Sequence, residues 1–405
     1  MKAEWKTEPL GALCDFSRGL TYAKNDEVDS SDNVVLRATN INLATNLLDF
    51  AELKYISDKV AVPDSKKVKK NSLMICTASG SKSHLGKVAF IDDDYGYAFG
   101  GFMGMVTPKN GLLPKYLFHL MTSEAYKDFI GALSDGANIN NLKFDDLSRF
   151  AIPHPPLPEQ QRIVGILDEA FAGLATAQAN AEKNLQNARA LFESHLQSVF
   201  TQRGEGWVEK RKPLAELCEL IVDCEHKTAP IQEEGIPSIR TPNIGKGKLL
   251  LDGVNLVSEE TYKAWTRRAE PLAGDLILAR EAPAGNVAVI PENTRACLGQ
   301  RTVLIRPKVD VVEPSFLAFL LLEPKTQAKL LAHSRGATVQ HVNMKDIRAL
   351  DVGAIPSLKV QRSIVSTLWN LDTETQRLES LYQQKLAALA ALKKSLLHQA
   401  FSGAL

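Results

Sequence analysis

The 405-residue chain lacks the features of a membrane, secreted or disulfide-stabilised protein. No run of about 18 uncharged apolar residues occurs, and residues 1–6 lack the apolar core of a signal peptide. The five cysteines are few and odd in number, which does not suit a disulfide framework. We therefore expect a cytoplasmic protein with free thiols and no membrane attachment.

Motifs of common active sites are also absent. There is no complete phosphate-binding loop, no Gly-x-Ser-x-Gly elbow, no His-Glu-x-x-His zinc motif and no Asn-Pro-Pro-Tyr segment. Gly80-Ser81-Lys82-Ser83 has the end of a phosphate loop without its leading glycine. The sequence thus favours a chain with no catalytic residues, no metal site and no bound cofactor. Because the net charge is only +1, any DNA-facing positive charge has to be local.

Two long helices are predicted. The first begins at the prolines before Glu159, with Pro158 in its first turn, and runs to about Phe200. The second begins after Pro356 and runs to Phe401. Apolar or small residues recur at steps of three and four along both segments. These stripes comprise Ile163, Leu167, Ala170, Leu174, Ala177, Ala181, Leu185, Ala188 and Phe192, then Ile364, Leu368, Leu371, Thr375, Leu378, Tyr382, Leu389, Leu392 and Leu396.

Each stripe requires a partner helix, and the two helices have similar lengths. Gly204 and Gly403 are expected to cap their C-terminal ends. Antiparallel packing lets the second half of the chain follow the first helix directly, whereas parallel packing would require it to return along the helix. We therefore predict an antiparallel coiled coil.

The sequence repeats at a distance of about 200 residues, which indicates an internal duplication. The matching segments are 9–14 with 213–218, 35–41 with 238–244, 86–91 with 285–290, 134–137 with 334–337, and 161–162 with 361–362. Within each copy, short β-branched runs predict strands, and Pro114 and Pro314 each begin a helix.

The predicted fold is α+β, with two tandem pseudo-symmetric domains of mixed α/β structure joined by two long helices that form an antiparallel coiled coil. The domain boundaries are 1–155 for the first domain, 156–203 for the central helix, 204–355 for the second domain and 356–405 for the C-terminal helix.

Candidate DNA contacts lie in loops that follow strands. In the first copy, Arg37, Thr39 and Asn40 follow a strand, and arginine and asparagine can read guanine and adenine edges with two hydrogen bonds. An alternative stays open, in which each arginine pairs with a carboxylate of its own domain and each asparagine caps a turn. The remaining candidates are Ser79, Lys82, Ser83, His84 and Lys87 of the first copy, and Arg240, Thr241, Asn243, Arg280, Asn286 and Arg301 of the second.

The duplication, the segment Pro-Pro-Leu-Pro-Glu-Gln-Gln-Arg-Ile-Val at 155–164 and the repeated Ser-x-Gly-Ala resemble the specificity subunit of type I restriction-modification systems. The resemblance spans the whole chain. It implies two target recognition domains that bind a bipartite, asymmetric sequence in double-stranded DNA. It also implies assembly with two modification subunits, which methylate adenine N6, and two restriction subunits, which translocate and cleave DNA.

Under this resemblance, S-adenosylmethionine, ATP and magnesium belong to the partner subunits and not to this chain. The expected subunit interface consists of Glu159, Gln160, Gln161, Arg162, Gln361 and Arg362. Two other functions stay open from the residues alone. One is a self-contained methyltransferase- or nuclease-related enzyme, with Cys218, Cys224 and His226 as the best cluster; the other is a coiled-coil scaffold that binds only proteins.

Overall fold

The computed structural model describes residues 5–80, 84–134, 141–204, 206–208, 212–281, 284–332 and 341–405. The chain divides into two compact units. The first comprises Met1–Glu182 and Gln384–Leu405, and the second comprises Lys183–Gln383. Each unit therefore holds one globular domain together with a part of both long helices.

In the described residues of the first unit, ten strands and four α-helices precede the first long helix. The strands are β1 (Lys6–Pro9), β2 (Cys14–Arg18), β3 (Glu27–Val28), β4 (Asn33–Leu36), β5 (Lys54–Ile56), β6 (Ser72–Cys76), β7 (Val88–Ile91), β8 (Ala98–Phe99), β9 (Met103–Pro108) and β10 (Ala151–His154). The helices are α1 (Leu10–Leu13), α2 (Pro114–Leu120), α3 (Glu124–Ser134) and α4 (Phe144–Leu147). One sheet has the order β2-β9-β6-β7 and another the order β3-β5-β4-β8, while β1 pairs with β10.

The second unit repeats this plan. Its strands are β11 (Trp207–Val208), β12 (Cys218–Asp223), β13 (Ile236–Ile239), β14 (Gly247–Lys248), β15 (Leu256–Val257), β16 (Leu276–Ala279), β17 (Val287–Val289), β18 (Cys297–Leu298), β19 (Thr302–Pro307) and β20 (Ile355–Pro356). Its helices are α6 (Glu259–Trp265), α7 (Pro314–Leu322), α8 (Pro324–Leu331) and α9 (Met344–Ala349). The large sheet runs β12-β19-β16-β17-β14, and the smaller one runs β15-β13-β18.

The two large sheets share one frame, since β2-β9-β6-β7 matches β12-β19-β16-β17. Every residue of the central strands β6 and β16 is buried, because helices pack on one face of each large sheet and the smaller sheet packs on the other. The predicted helices at Pro114 and Pro314 are confirmed, and each has its proline in the first turn. The duplication predicted from the sequence is therefore present in the fold.

The two long helices are α5 (Leu157–Gln202) and α10 (Leu358–Ser402). In the first unit the beginning of α5 contacts the end of α10, because Arg162 donates to the Leu405 carbonyl at 2.9 Å. In the second unit the end of α5 contacts the beginning of α10, where Arg189 lies 3.1 Å from Glu379. The predicted antiparallel pairing is confirmed in both units.

Two details of the helices differ from the prediction. Helix α5 extends to Gln202, and Arg203, not Gly204, has the positive φ of 31° at its end. Leu392 was expected in the contact stripe but is exposed. Lys393 occupies the contact instead, with its ammonium 5.2 Å from the centre of the Phe171 ring. The methylenes of a long lysine side chain can pack against an apolar neighbour, so Lys393 can fill a position in the apolar stripe that a leucine would otherwise occupy.

Within the described residues, no helix combines the length and the apolar character that a membrane crossing requires. All five cysteines are buried and unpaired.

Candidate nucleic-acid interface

The candidate site of the first domain lies where β4 ends. Strand β4 runs parallel to β8, with Leu36 opposite Phe99, and Gly100 N donates to the Leu36 carbonyl at 2.9 Å. The loop that begins at Arg37 and the turn Gly100-Gly101-Phe102 are therefore neighbours. In the second domain, β13 runs parallel to β18, and Gly299 N donates to the Ile239 carbonyl at 2.7 Å. The same backbone frame is thus built twice.

A cleft of about 820 Å³ opens at this place in the first domain. Its wall includes Tyr22, Lys24, Arg37, Thr39, Ser79 and Phe102. Three of these, Arg37, Thr39 and Ser79, were predicted as DNA contacts. Tyr22, Lys24 and Phe102 were not, because no motif marks them and their counterparts in the second copy differ.

The wall of the cleft near Arg37 carries more positive than negative charge. The Arg37 guanidinium lies 3.8 Å from the Glu27 carboxylate, and the Lys54 ammonium lies 3.7 Å from the same carboxylate. One anion is therefore shared by two cations, and Lys24 lies in the same wall. Burial and the neighbouring Glu27 carboxylate raise the pKa of the Tyr22 phenol, so this group stays a neutral hydrogen-bonding partner.

Asn40 and Asn243 do not present their amides to a ligand, contrary to the prediction. Asn40 is buried; its oxygen accepts from Arg37 N at 2.8 Å, and its nitrogen donates to two backbone carbonyls at 2.9 Å. Asn243 accepts from Arg240 N at 3.1 Å and donates to the Leu250 carbonyl at 3.2 Å. Both side chains shape the loop that follows the strand, which is the structural alternative considered for them.

Lys87 and Asn286 are a second pair of predicted contacts with an internal role. The Lys87 ammonium donates to the Ile41 carbonyl at 3.3 Å, and the Asn286 amide donates to the Ile244 carbonyl at 2.9 Å. Burial lowers the pKa of Lys87. Because the two residues hold equivalent turns in the two domains, they support the frame and do not line its open face.

Arg280 is also an internal residue. Its side chain is only 8% exposed and contacts the Asp223 carboxylate at 2.6 Å, the Val342 carbonyl at 2.9 Å and the His341 ring at 2.9 Å. A buried guanidinium needs such partners, and each of its three nitrogens has one. Arg280 is therefore used inside its domain in this structure, and its contact with DNA stays a prediction.

The other candidates are placed as follows. Thr39 is exposed, Arg240 is exposed, and Thr241 is buried. His84 is half-buried at the end of the loop, whereas Lys82 and Ser83 lie outside the described residues. Arg301 is open to solvent, and its Nε lies 2.9 Å from the Glu281 carboxylate. The surviving candidates in the described parts are Arg37, Thr39, Ser79, His84, Arg240 and Arg301.

The two copies carry different side chains at matched positions. Strand pairing aligns Met103 with Thr302, so Phe102 corresponds to Arg301. The same registers align Arg18 with Asp223, and Thr77 with Arg280. Where the second copy has the Arg280–Asp223 ion pair and Arg301, the first copy has Thr77, Arg18 and Phe102, so the charges at these matched positions differ.

The cysteine cluster named from the sequence is assembled differently. Cys218 lies in the apolar core, and burial raises its pKa to about 12. The side chains that lie together are those of Asp223, Cys224 and His226, whose possible ligand atoms are within 4.8 Å of one another. Its carboxylate is already 2.6 Å from the Arg280 guanidinium and 3.0 Å from the His226 ring, and burial raises the pKa of the Cys224 thiol. A cation there would face a buried positive charge and a protonated thiol, so the cluster does not suit a metal.

The expected subunit interface divides into internal and exposed residues. Gln160 is fully buried, and its amide bonds to Leu113 N, the Gly111 carbonyl and the Pro155 carbonyl at 2.8–2.9 Å. Gln361 is its counterpart, with bonds to Glu313 N and the Val311 and Pro356 carbonyls. In the structure these two side chains fasten each long helix to its own domain, and their role in a subunit interface stays a prediction.

The structural match Gln160 with Gln361 also corrects the register of the repeat in the helices from 200 to 201 residues. The neighbours are exposed. Gln161, Arg162 and Arg362 face solvent, and Glu159 binds Arg162 through two contacts of 2.8 Å.

Taken together, the fold and the site define a class of protein: a duplicated chain in which one scaffold presents two different surfaces, each fastened to paired antiparallel helices. Comparison with known proteins narrows this class. The family model described as "Type I restriction modification DNA specificity domain" matches residues 2–185 and again residues 205–387. The chain belongs to this family.

Curated proteins with similar sequences are specificity subunits of type I restriction enzymes. The type I restriction enzyme EcoKI specificity subunit of Escherichia coli (strain K12) is 24% identical over 419 residues, covering 99% of this chain and 89% of the relative. The StySPI specificity subunit of Salmonella potsdam is 32% identical over 182 residues, covering 44% of this chain and 39% of the relative. Proteins of this kind recognise DNA and are not catalytic, so the chain is a DNA-recognition protein and not a self-contained enzyme.

Solved structures share the fold. A chain from work on complex assembly and conformational transition of the type I R-M system has a TM-score of 0.76 at 19% identity, covering 100% of this chain and 99% of that one. The HsdS subunit from Thermoanaerobacter tengcongensis has a TM-score of 0.63 at 20% identity, covering 100% and 98%. The predicted α+β fold with two domains and long helices is confirmed.

Proposed function

We propose that this chain reads a bipartite, asymmetric DNA sequence, one half-site with each domain, within a type I restriction-modification complex. The observation that carries the proposal is the duplicated frame with different side chains at matched positions, such as Phe102 and Arg301. A shared backbone places both reading surfaces in the same way, whereas differing side chains select different bases.

In the first half-site, Arg37 and Thr39 are the proposed base-reading groups, and Ser79 with Lys24 contacts phosphate or base edges from the same cleft. In the second half-site, Arg240 and Arg301 are the proposed base-reading groups. An arginine can bind both acceptors of guanine at once, and discrimination of about 1–3 kcal/mol is typical of such a contact.

The antiparallel helices α5 and α10 are proposed to set the number of base pairs between the half-sites. Support comes from the way each helix is fastened to its own domain by a buried glutamine, Gln160 or Gln361. A stiff helix pair transmits a fixed length, since each residue adds about 1.5 Å.

The proposed partners are the modification and restriction subunits of the same system, two of each, with S-adenosylmethionine, ATP and magnesium bound by them. Glu159, Gln161, Arg162 and Arg362 are the proposed contacts with those subunits, because they are close to the domain attachment points and face outward. The proposed location is the cytoplasm, where such a complex reaches bacterial DNA.

Methylation mapping tests the reading of DNA. In cells that carry this chain with its partner subunits, genomic adenine methylation should reveal one bipartite motif. Arg37→Ala should relax base preference in one half-site only, and Arg240→Ala in the other half-site only. Lys54→Ala is a matched control, because this lysine shares Glu27 with Arg37 but is not in the wall of the cleft. A single variant that altered both half-sites would contradict the proposal.

Matched deletions test the spacing role. Removing seven residues from both helices keeps the contact stripe in register and shortens the pair by about 10 Å. At about 3.4 Å per base pair, the gap between the half-sites should shrink by about three base pairs, with both half-sites unchanged. An altered half-site with the original gap would refute this role.

Salt-dependent binding separates this function from a scaffold that binds only proteins. Fluorescence anisotropy of the assembled complex on duplex DNA should show affinity that falls steeply with added salt, because bound phosphates release counterions. An absence of binding at low salt would favour the scaffold.

A further inference from the structure

Phe102 is the most exposed large apolar side chain in the described parts of the chain, at 75%. Exposure alone is not unusual, since single apolar residues occur on most protein surfaces. The setting of Phe102 is what distinguishes it. The residue lines the 820 Å³ cleft and also a smaller cavity of about 140 Å³.

The backbone that carries Phe102 is held firmly. Its carbonyl accepts three hydrogen bonds, from Thr77 N at 2.9 Å, Thr77 Oγ1 at 2.9 Å and Ala78 N at 3.1 Å. The preceding turn is packed closely, because a Cβ on Gly101 would come within 3.3 Å of the Thr21 hydroxyl. The ring is therefore presented to solvent from a rigid base, and fixing its two side-chain torsions costs little entropy on binding.

The surroundings of the ring combine apolar and polar groups. Leu20, Ala38 and Met103 line the same cleft, with the Arg37 guanidinium and the Thr39 hydroxyl beside them. A ligand here needs an apolar group next to hydrogen-bond acceptors. In the major groove, thymine alone has such an edge: a C5-methyl group beside the O4 acceptor.

The matched position of the second copy has the opposite character. Arg301 takes the place of Phe102, in the left-handed conformation with φ of 67°. Its carbonyl accepts from Arg280 N at 2.8 Å, as the Phe102 carbonyl accepts from Thr77 N. The carbonyl at this position is therefore bonded alike in both domains, whereas the backbone φ is positive only in Arg301, and the side chain changes from aromatic to cationic.

We infer that Phe102 contacts the C5-methyl group of a thymine in the half-site read by the first domain, and so determines specificity at that base pair. This inference rests on the proposed function. It adds to that function the recognition of one particular base, thymine, through an apolar contact and not through hydrogen bonds. The alternative for an exposed aromatic ring is insertion between base pairs as a wedge, which does not depend on the methyl group.

Uracil substitution tests the contact directly, since it removes only the methyl group. The complex of the full chain with its modification subunits is titrated with duplexes in which each thymine of the mapped site is replaced by uracil, one at a time. For the unchanged protein, one substitution should weaken binding by about fourfold, the value for removing a buried methylene-sized group. With Phe102→Ala, the same substitution should have no effect on binding.

Two further variants serve as controls. Phe102→Leu keeps an apolar contact and should retain part of the sensitivity to uracil. Leu43→Ala alters another exposed apolar residue of the first domain, outside the wall of the cleft, and should leave the sensitivity unchanged.

The outcomes separate the inference from the function it rests on. Equal loss of affinity on thymine and uracil duplexes with Phe102→Ala would indicate a wedge and overturn the methyl contact. A uracil effect that survives in Phe102→Ala would also overturn it. In these cases the complex still binds a defined motif, whereas failure of the proposed function would appear as no motif at all.

Discussion

Replacing Gln160 by alanine should destabilise the first unit by about 3 kcal/mol, because buried polar groups lose their partners. The side chain is fully buried and bonds to Leu113 N, the Pro155 carbonyl and the Gly111 carbonyl. The Gly111 carbonyl keeps a second donor, the His154 ring at 2.9 Å. Two groups, Leu113 N and the Pro155 carbonyl, are therefore left unsatisfied. Each such group costs about 1–3 kcal/mol, and partial access of water to the vacated space keeps the total near the lower half of that sum.

The measurement is thermal unfolding by calorimetry, with hydrogen exchange of peptides around residues 111–113 to assign the change to the first unit. For a unit of about 200 residues, the expected loss corresponds to a decrease in Tm of about 6–12 °C. Exchange near Leu113 should accelerate, and peptides of the second domain should be unaffected.

The adjacent Gln161→Ala is the matched control. Gln161 is exposed, so its truncation should change stability by less than about 0.5 kcal/mol. Gln361→Ala should reproduce the effect in the second unit, because the bonds of Gln361 are equivalent. Equal stability changes for Gln160→Ala and Gln161→Ala would refute the reasoning and return Gln160 to the subunit interface.

Two other predictions concern charged groups. Asp223→Ala should destabilise the second unit by about 3–5 kcal/mol in denaturant unfolding, because it leaves the buried Arg280 guanidinium without its anion. Glu259→Ala removes an exposed partner of Arg295 and should have far less effect, since solvent screens that pair; similar losses would contradict the account. For His154, burial lowers the pKa, but hydrogen bonds to the Gly111 carbonyl and the Glu8 carboxylate raise it above its usual value overall. The protonated ring therefore adds stability below about pH 6.5, and this stability is lost as pH rises through the raised folded pKa. The stability difference between the unchanged protein and His154→Gln should thus be larger at pH 5.5 than at pH 8.5, and a difference that grew with pH would show the sign to be wrong.

The amino-acid sequence by itself determined the plan of this protein. The period of apolar residues and the prolines before α5 and α10 predicted both long helices, because helix starts and buried stripes depend on neighbours in the chain. The strands and the helices at Pro114 and Pro314 were likewise predicted from local patterns. The internal repeat then required two like domains, and the family resemblance pointed to DNA recognition.

Only the tertiary structure decided which polar side chains are free to bind. Asn40, Lys87, Arg280 and Gln160 have the residue types of binding groups, yet each is used inside its domain. Phe102 shows the reverse: phenylalanine is a residue type common in cores, but this one is exposed and stands at the edge of the cleft. Residue type fixes what a side chain can bond to, whereas its partners come from segments distant in the chain. Their positions depend on how the sheets pack, so the open surface of this protein cannot be read from local sequence.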